Sequence, residues 1–253
     1  MPTPVTLYII GYNEEANLRA LLPTVKWADE LLYVDSFSTD GTAKLCAEHG
    51  VRHVNVPFEG FGKLRNQAVA LAKHDWIVSI DSDERSTPEF AEEVRRTLAD
   101  PRHAAYFVPR RNTFLGHPVR HGGLYPDYRQ PQVFDRRKLR YREDLVHEGF
   151  ECDGPVGHFQ SAIWQHPWPT LAVLLAKNER YSTLMARRYH EAGRRAGLTR
   201  LLVNPLAAFA KKYVFAQGFR DGLPGFMIAC FHGYYTFTKY AKLWELQHSV
   251  PRS

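Results

Sequence analysis

The stretch Trp76–Glu84, WIVSIDSDE, is an apolar strand pattern that ends in three carboxylates. Its first five residues have strand character, and the acidic cluster begins at Asp81. In open α/β sheets, ligands bind outside the carboxyl ends of the strands. Carboxylates held one residue apart suit Mg²⁺ or Mn²⁺, which proteins bind through one or two acids and substrate phosphates. The stretch predicts a metal–diphosphate site, although Asp and Ser are also frequent in ordinary turns.

The first hundred residues alternate between strand and helix patterns. We expect strands at residues 5–10, 30–35, 52–56 and 76–80. We expect helices at residues 14–22, 40–49 and 63–73, and a further helix that begins at Pro88. Asn13 is placed to cap the first of these helices. Such alternation predicts an α/β fold with a mostly parallel sheet and helices on both faces.

Beyond residue 104 the pattern changes twice. Short β segments at 105–110, 132–134 and 139–141 are separated by Gly, Pro and His, and such loops often contact substrate. From residue 170 the chain is predicted to be helical, at 170–196, at 200–219 with a break near Asn204-Pro205, and at 226–247. We therefore predict a catalytic domain over residues 1–168 and a helical C-terminal region over residues 169–253.

The composition of the chain gives expectations about its cellular location and its partners. The three cysteines, Cys46, Cys152 and Cys230, have no metal-binding or redox spacing, which predicts a reducing, cytoplasmic location. The first residues lack a basic stretch followed by an apolar one, so no signal peptide is expected. The net charge of +6 is concentrated in residues 177–220, which carry ten Lys or Arg against two Asp or Glu.

This basic segment suggests contact with an anionic lipid surface, or else it forms a solvated helix face. It contains no recognisable nucleic-acid-binding motif, so we expect no nucleic acid partner. The following stretch, residues 222–238, has no formal charge but contains three glycines and a proline, which makes it a poor membrane-spanning helix. It is predicted to be either an interfacial helix or a packed core helix.

Four polar motifs follow the predicted strands in the first hundred residues. They are GYNEE at 11–15, VDSFSTDGT at 34–42, GFGKLRN at 60–66 and DSDE at 81–84. No G-x-G-x-x-G follows the first strand, which argues against a dinucleotide-binding turn. In this order and spacing the motifs resemble the nucleotide-binding half of a family 2 glycosyltransferase with a GT-A fold, over residues 4–100.

A closer resemblance extends over most of the chain. It is to bacterial lipopolysaccharide core β-1,4-glucosyltransferases that act on inner-core heptose. It rests on WADE at 27–30, GFG at 60–62, DSDER at 81–85, VHE at 146–148 and the late D-G-x-x-G-F at 221–226. One departure is Gln132-Val133-Phe134, where such relatives usually carry Arg-Leu-Phe.

The resemblance implies roles for individual residues near the nucleotide. Asp35 would bind the uracil, and the implied nucleotide-binding set is Tyr12, Asn13, Glu15, Asp35, Arg65 and Asp81. Asp83 would ligate Mg²⁺ or Mn²⁺, and Asp81 would touch the ribose or a metal-bound water. His166 is the candidate third group at the metal or diphosphate, with a structural histidine in an aromatic turn as the alternative.

An inverting sugar transfer also needs a general base beside the acceptor hydroxyl. Family 2 members usually place an acid pair there, whereas this chain has REDLVHE at 142–148. Glu148 is our first candidate for the base, Asp144 the second and His147 the third. Gly122 and Gly123 resemble the glycine loop that lines the sugar pocket, or form a simple turn.

Arginines are abundant in the part of the chain that would meet the acceptor. They are Arg110, Arg111, Arg120, Arg129, Arg136 and Arg137. Such residues suit an anionic acceptor, such as a phosphorylated inner core, although any one of them is equally compatible with an ordinary surface. Arg129 is the one that we assign to the acceptor and sugar pocket.

These implications combine into one functional hypothesis. The protein would transfer a hexose, glucose from a UDP-glucose donor, to an inner-core heptose of lipopolysaccharide by inversion. It would work on the cytoplasmic face of the inner membrane as a peripheral protein. The alternatives are a family 2 glycosyltransferase for another cell-surface glycan or lipid-linked acceptor, and a non-catalytic scaffold that binds nucleotide sugars. The sequence leaves the oligomeric state open.

Overall fold

The structure is a computed structural model that describes residues 3–143 and 149–248. Its strands are β1 Val5–Gly11, β2 Glu30–Asp35, β3 Arg52–Asn55, β4 Trp76–Ser79, β5 Glu84–Arg85, β6 Ala105–Phe107, β7 Arg110–Phe114, β8 His117–Val119, β9 Val133–Asp135, β10 Leu139–Tyr141, β11 Phe150–Cys152, β12 Val156–His158 and β13 Ile163–Trp168. Its α-helices are α1 Glu15–Leu21, α2 Thr42–Glu48, α3 Phe61–Leu71, α4 Pro88–Ala99, α5 Leu171–Glu191, α6 Leu198–Ala210 and α7 Gly222–His248.

The chain forms two compact units. The first unit contains Met1–Arg110 and Asp127–Gln165, and the second contains Arg111–Pro126 and His166–Ser253. The division near residue 168 that we expected differs from this arrangement at residues 111–126, which group with the C-terminal helices. The reason is an apolar cluster in the second unit, in which Phe114 and Val119 pack with Leu174 and Ile228.

A seven-stranded sheet organises the first unit, in the order β12-β6-β9-β4-β1-β2-β3. β1 pairs in parallel with β2 and β4, and β2 pairs in parallel with β3. β9 runs antiparallel to both β4 and β6. The α/β fold with a mostly parallel sheet is therefore confirmed. β1 is buried from Val5 to Ile10, as expected for a central strand covered on both faces.

Alternate residues of β1 contribute to two different apolar clusters. Val5, Leu7 and Ile9 pack in the cluster that contains the buried residues of α1, α2 and α4. Tyr8 and Ile10 pack in the other cluster, together with the buried residues of α3. Because side chains alternate across a strand, the two clusters lie on opposite faces of the sheet. Because both faces of the sheet are covered, the polar motifs lie at the edge where the strands end.

Two expectations about helix ends have opposite outcomes. The expectation that a helix begins at Pro88 is confirmed, and the Thr87 side chain caps this helix by accepting a hydrogen bond from Phe90 N at 3.1 Å. The expectation that Asn13 caps α1 is wrong. Asn13 adopts a positive φ of 55°, and its side-chain oxygen accepts from Thr39 N at 2.8 Å instead. Glu14 occupies the cap position and forms no side-chain capping bond.

The second unit contains α5, α6 and α7. The expected break near Pro205 is wrong, because α6 runs continuously from Leu198 to Ala210. Gly233 of α7 allows close packing there, since a Cβ at this position would lie 3.2 Å from the Pro205 carbonyl oxygen. The irregular geometry comes just afterwards, as a π turn over Lys211–Phe215. Across the described residues, no helix combines the length and apolar character needed to span a bilayer.

Candidate active site at the carboxyl ends of the strands

The predicted motifs of the first unit meet at one edge of its sheet. Gly11 at the end of β1 lies opposite Asp35 at the end of β2, and Ser36 N donates to Gly11 O at 3.0 Å. On the other side of β1, Ile80 N donates to Tyr8 O at 3.1 Å, immediately before the acidic cluster. The strand ends therefore place the N-E-E, D-S-x-S-T-D and D-x-D motifs side by side.

The first two motifs are joined by hydrogen bonds between their loops. Asn13 N donates to Ser38 Oγ at 2.8 Å, and Glu15 Oε2 accepts from Gly41 N at 3.0 Å. A hydrogen bond from Arg19, with the one from Gly41, lowers the pKa of Glu15. Asn13 and Glu15 thus hold the loop after β1 against the loop after β2. Tyr12, which lies beside them in sequence, is 54% exposed.

Asp35 is enclosed by its neighbours. It is 1% exposed, and its Oδ1 accepts from the backbone and hydroxyl of Ser38 at 2.9 and 2.6 Å. Its Oδ2 lies 2.7 Å from His53 Nε2. Next to it, the buried hydroxyl of Ser36 has no hydrogen-bond partner among the described residues. Sequence reasoning did not identify His53 or Ser36, and Ser36 offers the freer polar group at this position.

Asp81 forms an ion pair at the end of β4. Arg65 Nη2 donates to Asp81 Oδ1 at 2.9 Å, and Arg65 Nη1 donates to Ser79 Oγ at 3.0 Å. Burial disfavours the ionised carboxylate, but the guanidinium groups of Arg65 and Arg110 outweigh it and lower the pKa of Asp81. The structure thus brings the predicted pair Arg65 and Asp81 together and keeps the acid ionised at neutral pH.

Glu84 is buried beneath the D-x-D turn. Its carboxylate forms an ion pair with Arg110 and accepts from Asp81 N at 2.9 Å and from Gln132 Nε2 at 3.0 Å. Burial raises the pKa of Glu84 to about 7, against the opposing effect of Arg110. The sequence showed Glu84 only as the last acid of the motif. In the structure it holds the backbone of Asp81 in place.

Asp83 and Arg129 are linked through a residue that the sequence did not identify. Gln165 Nε2 donates to Asp83 Oδ1 at 3.3 Å, and Gln165 Oε1 accepts from Arg129 Nη2 at 3.3 Å. Burial disfavours the charge on Arg129, but its bond to Asp127 and the charges of Asp127, Glu84 and Asp81 raise its pKa. Arg129, assigned above to an acceptor pocket, therefore lies beside the D-x-D acids.

A small cavity opens at this point of the first unit. It has a volume of about 70 Å³, and its lining includes Arg65, Asp81, Arg129, Gln132 and Tyr141. We call it the D-x-D cavity. A wider groove of about 860 Å³ is lined partly by α3 and by the β10–β11 hairpin. Its lining includes Arg136 and Arg137 but none of the residues assigned to the nucleotide, the metal or the base. The predicted chemistry therefore centres on the smaller cavity.

The G-x-x-x-x-R-N motif of α3 also positions the segment that precedes the candidate bases. The Asn66 side chain accepts from Tyr141 N at 2.9 Å and donates to Tyr141 O and Glu143 Oε1, both at 2.8 Å. A Cβ at Gly62 would lie 1.9 Å from the Arg142 carbonyl oxygen, so only glycine allows this approach. The candidate bases themselves, Asp144, His147 and Glu148, lie outside the described residues.

The remaining predicted residues, Gly122, Gly123 and His166, belong to the second unit. Both glycines have positive φ, 69° and 71°, which explains the residue type at a tight loop. The Asp221 carboxylate anchors this loop, since it accepts from His121 N and faces His121 Nδ1, both at 2.7 Å. His166 Nδ1 lies 2.8 Å from Thr113 Oγ1.

The acids of the D-x-D motif have the donor chemistry that a divalent cation requires. The described residues contain no cluster of three or more His, Cys, Asp or Glu side chains that could hold a metal. Mg²⁺ in phosphate-transferring sites commonly uses one or two carboxylates together with substrate phosphates. Asp83 and Asp81 supply that number of carboxylates, so the donor set fits a cation that binds together with a diphosphate.

Comparison with known proteins identifies the family of the chain. A family model described as glycosyl transferase family 2 matches residues 6–166. The lipopolysaccharide core biosynthesis glycosyltransferase LpsC of Rhizobium meliloti (strain 1021) is 30% identical, over 96% of this chain and 92% of its own length. An uncharacterized glycosyltransferase of Rickettsia bellii (strain RML369-C) is 24% identical, over 96% and 86%. The crystal structure of S. aureus TarS 1–349 covers 99% of this chain and 93% of its own, with a TM-score of 0.49 and 14% identity.

Proposed function

The chain belongs to glycosyltransferase family 2, and from that premise we propose that it transfers glucose from UDP-glucose to an inner-core heptose of lipopolysaccharide, with inversion at the anomeric carbon. One observation supports this most directly. The ends of the parallel strands bring Asp81 together with Arg65 and Arg129 at one cavity, and Gln165 joins Asp83 to Arg129 beside it. Paired acids and guanidinium groups at this edge of an α/β sheet suit a metal-bound nucleoside diphosphate.

Each residue of the site has a defined part in the proposed reaction. Asp83, with Asp81, would hold the divalent cation, which would neutralise the charge that develops on the leaving diphosphate. Arg65 keeps Asp81 ionised and oriented. The N-E-E and D-S-x-S-T-D loops form the nucleotide side, where Ser36 and Asp35 lie nearest the end of β2.

The transfer itself needs a base on the acceptor side. The acceptor hydroxyl attacks the anomeric carbon, the bond from that carbon to the UDP oxygen breaks, and the base takes the hydroxyl proton. Glu148 remains our first candidate, ahead of Asp144 and His147. Asn66 and Gly62 fix residues 141–143 immediately before this segment.

The acceptor is proposed from a relative that matches nearly the whole chain. LpsC is named for lipopolysaccharide core biosynthesis, and a phosphorylated inner core suits an enzyme with many arginines in residues 110–137. Another cell-surface glycan, or a lipid-linked sugar, is the second candidate acceptor.

We place the reaction at an anionic membrane surface, on the cytoplasmic side. Leu198, Leu202 and Leu206 of α6 are 73%, 55% and 71% exposed, and their spacing of four residues puts them on one face of the helix. Basic residues dominate the surrounding segment 177–220. An exposed apolar stripe with basic neighbours suits the interface of a bilayer that contains anionic lipid.

A transfer assay tests the proposal. The protein is incubated with UDP-glucose, Mn²⁺ and a panel of acceptors: heptose-containing core oligosaccharides, cores lacking heptose, and lipid-linked sugars. We expect a β-linked glucosyl product only with the heptose-containing acceptors, and none from the Asp83→Ala variant. Transfer to a different acceptor class would move the assignment to that class. Equal rates for wild type and Asp83→Ala would overturn the mechanism.

A further inference from the structure

Gln132 places an unused hydrogen-bond acceptor at the D-x-D cavity. The residue lines this cavity and is 3% exposed. Its Oε1 is buried and has no hydrogen-bond partner among the described residues. Buried polar atoms are nearly always paired, so an unpaired one beside a cavity indicates a group that arrives with a ligand or with ordered water.

The orientation of the Gln132 amide is fixed by its nitrogen. Nε2 donates to Glu84 Oε2 at 3.0 Å and to the Ser79 carbonyl oxygen at 3.4 Å. A flipped amide would put Oε1 against the Ser79 carbonyl oxygen, which can only accept, so the hydrogen bonds assign this orientation of the amide. The backbone is held equally firmly, since Gln132 O accepts from Ser79 N at 2.7 Å and Gln132 N donates to Tyr106 O at 3.0 Å. Oε1 is therefore a rigidly placed acceptor.

A second unpaired atom belongs to the same cavity. Arg65 Nε is buried and lacks a hydrogen-bond partner among the described residues, and Arg65 also lines the cavity. A free acceptor on Gln132 and a free donor on Arg65 together match a hydroxyl group, which both donates and accepts. The carboxylate of Asp81 at the same cavity adds a further acceptor. The cavity, of about 70 Å³, can admit a hydroxyl-bearing edge of a ligand but not a complete nucleotide sugar.

We propose that Gln132 Oε1 accepts a hydrogen bond from one hydroxyl of the donor substrate and thereby selects against analogues that lack this hydroxyl. This inference rests on the proposed function, because it takes a nucleotide sugar as the ligand. The hydroxyl belongs either to the ribose or to the transferred sugar, and both offer the same chemistry. A site built to bond a hydroxyl rejects the analogue that lacks it, because its own polar atom is then left unpaired.

The experiment removes the Gln132 amide oxygen by substitution and the ligand hydroxyl by deoxygenation, each separately and both together. Binding of UDP, UDP-glucose and its singly deoxygenated analogues, in the ribose and in the glucose, is measured by calorimetry with Mn²⁺. Wild type is compared with Gln132→Met. The matched control is Gln67→Met, which alters another glutamine whose buried Oε1 is unpaired among the described residues but which is not part of the cavity lining.

We expect wild type and Gln67→Met to lose about tenfold or more in affinity for one analogue, and Gln132→Met to lose less than about threefold. The identity of that analogue tells whether the ribose or the sugar is bound. Affinity of wild type that is the same for UDP-glucose and every analogue would overturn the inference without any variant. An equal loss of affinity for that analogue in wild type and Gln132→Met would also overturn the inference. The proposed function would not be affected by that result as long as wild type still binds UDP. Absence of UDP binding to wild type would overturn both.

Discussion

At the scale of single residues, the three acids of the D-x-D-E motif occupy three different environments. Asp81 forms an ion pair with Arg65, Asp83 is partly exposed and bonded to Gln165, and Glu84 is fully buried against Arg110. Acids that are adjacent in sequence thus have different surroundings, because successive side chains of a turn point in different directions. Asp83 is the acid that we propose as the metal ligand, while the buried Glu84 holds the backbone of the turn.

The buried pair Glu84–Arg110 yields a prediction about stability. Glu84→Ala would leave the Arg110 guanidinium, which is 4% exposed, without its partner. We expect a loss of about 3–5 kcal/mol in the free energy of unfolding, measured by urea denaturation. The control Glu92→Ala removes an exposed acid and should change stability by less than about 0.5 kcal/mol. Similar small effects for both variants would contradict this role of Glu84.

A second residue prediction concerns pH. Burial opposes the charge of Glu30, but bonds from Thr6, Lys73 N and Arg52 outweigh it and lower its pKa below the ordinary 4.5. An acid with a lowered folded-state pKa stabilises the fold above about pH 4.5, and that contribution is lost as pH falls through the folded-state pKa. Glu30→Gln should therefore destabilise the protein at neutral pH. In urea titrations the difference in stability from wild type should shrink as pH falls below about 4.5. A difference that stays constant with pH would contradict this role of Glu30.

Sequence reasoning identified some site residues and missed others for a physical reason. Asp81, Asp83 and Arg65 belong to short motifs, which are local in sequence. Gln165 and Gln132 reach the D-x-D turn from 82 and 48 residues away along the chain. No local pattern indicates such contacts, because they depend on how β9 and β13 pair in the folded sheet. Ser36 and His53 were missed although they lie near a predicted motif.

At the scale of elements, the strands and helices of the first hundred residues could be predicted within a few residues. β1, β2 and β4 are mostly apolar runs. α2, α3 and α4 begin directly after Gly41, Gly60 and Thr87, so local signals agree with the fold there. The break at Pro205 could not be judged locally. Whether a proline interrupts a helix depends on the packing around it, here against Gly233 of α7.

The start of α3 gives an element-scale prediction. In Gly62→Ala the new Cβ would collide with the Arg142 carbonyl oxygen and shift the segment that leads to the candidate bases. We expect kcat to fall by about tenfold or more, with little change in UDP affinity, because a displacement of about 1 Å at a reacting group is costly. Gly197→Ala, at a site with open space around it, is the control. Equal kcat values for both variants would argue against this positioning.

The exposed apolar stripe of α6 gives a second prediction at the scale of elements. Leu202→Glu puts a charge among exposed leucines, so binding to liposomes that contain anionic lipid should weaken at least about tenfold at low ionic strength. Added salt should also weaken wild-type binding, since part of the attraction is electrostatic. Phe58→Glu, at an apolar side chain of the first unit that is 50% exposed, should bind as wild type does. Unchanged liposome binding by Leu202→Glu would exclude this face as the contact.

At the scale of the whole molecule, the GT-A fold and the family 2 membership expected from the sequence are confirmed. They could be predicted because four motifs recur in a fixed order along alternating strands and helices. The grouping of residues 111–126 with the C-terminal helices could not be predicted, since it results from apolar packing between segments that are distant in sequence.

Calorimetric titration of the whole protein with UDP-glucose, with and without Mn²⁺, tests the central claim most directly. The claim is that the D-x-D acids bind a nucleotide sugar together with a divalent cation. We predict that Mn²⁺ strengthens UDP-glucose binding to wild type by about tenfold or more, and that Asp83→Asn abolishes this gain. UDP-glucose affinity that is the same with and without Mn²⁺, or a metal effect that persists in Asp83→Asn, would contradict the account.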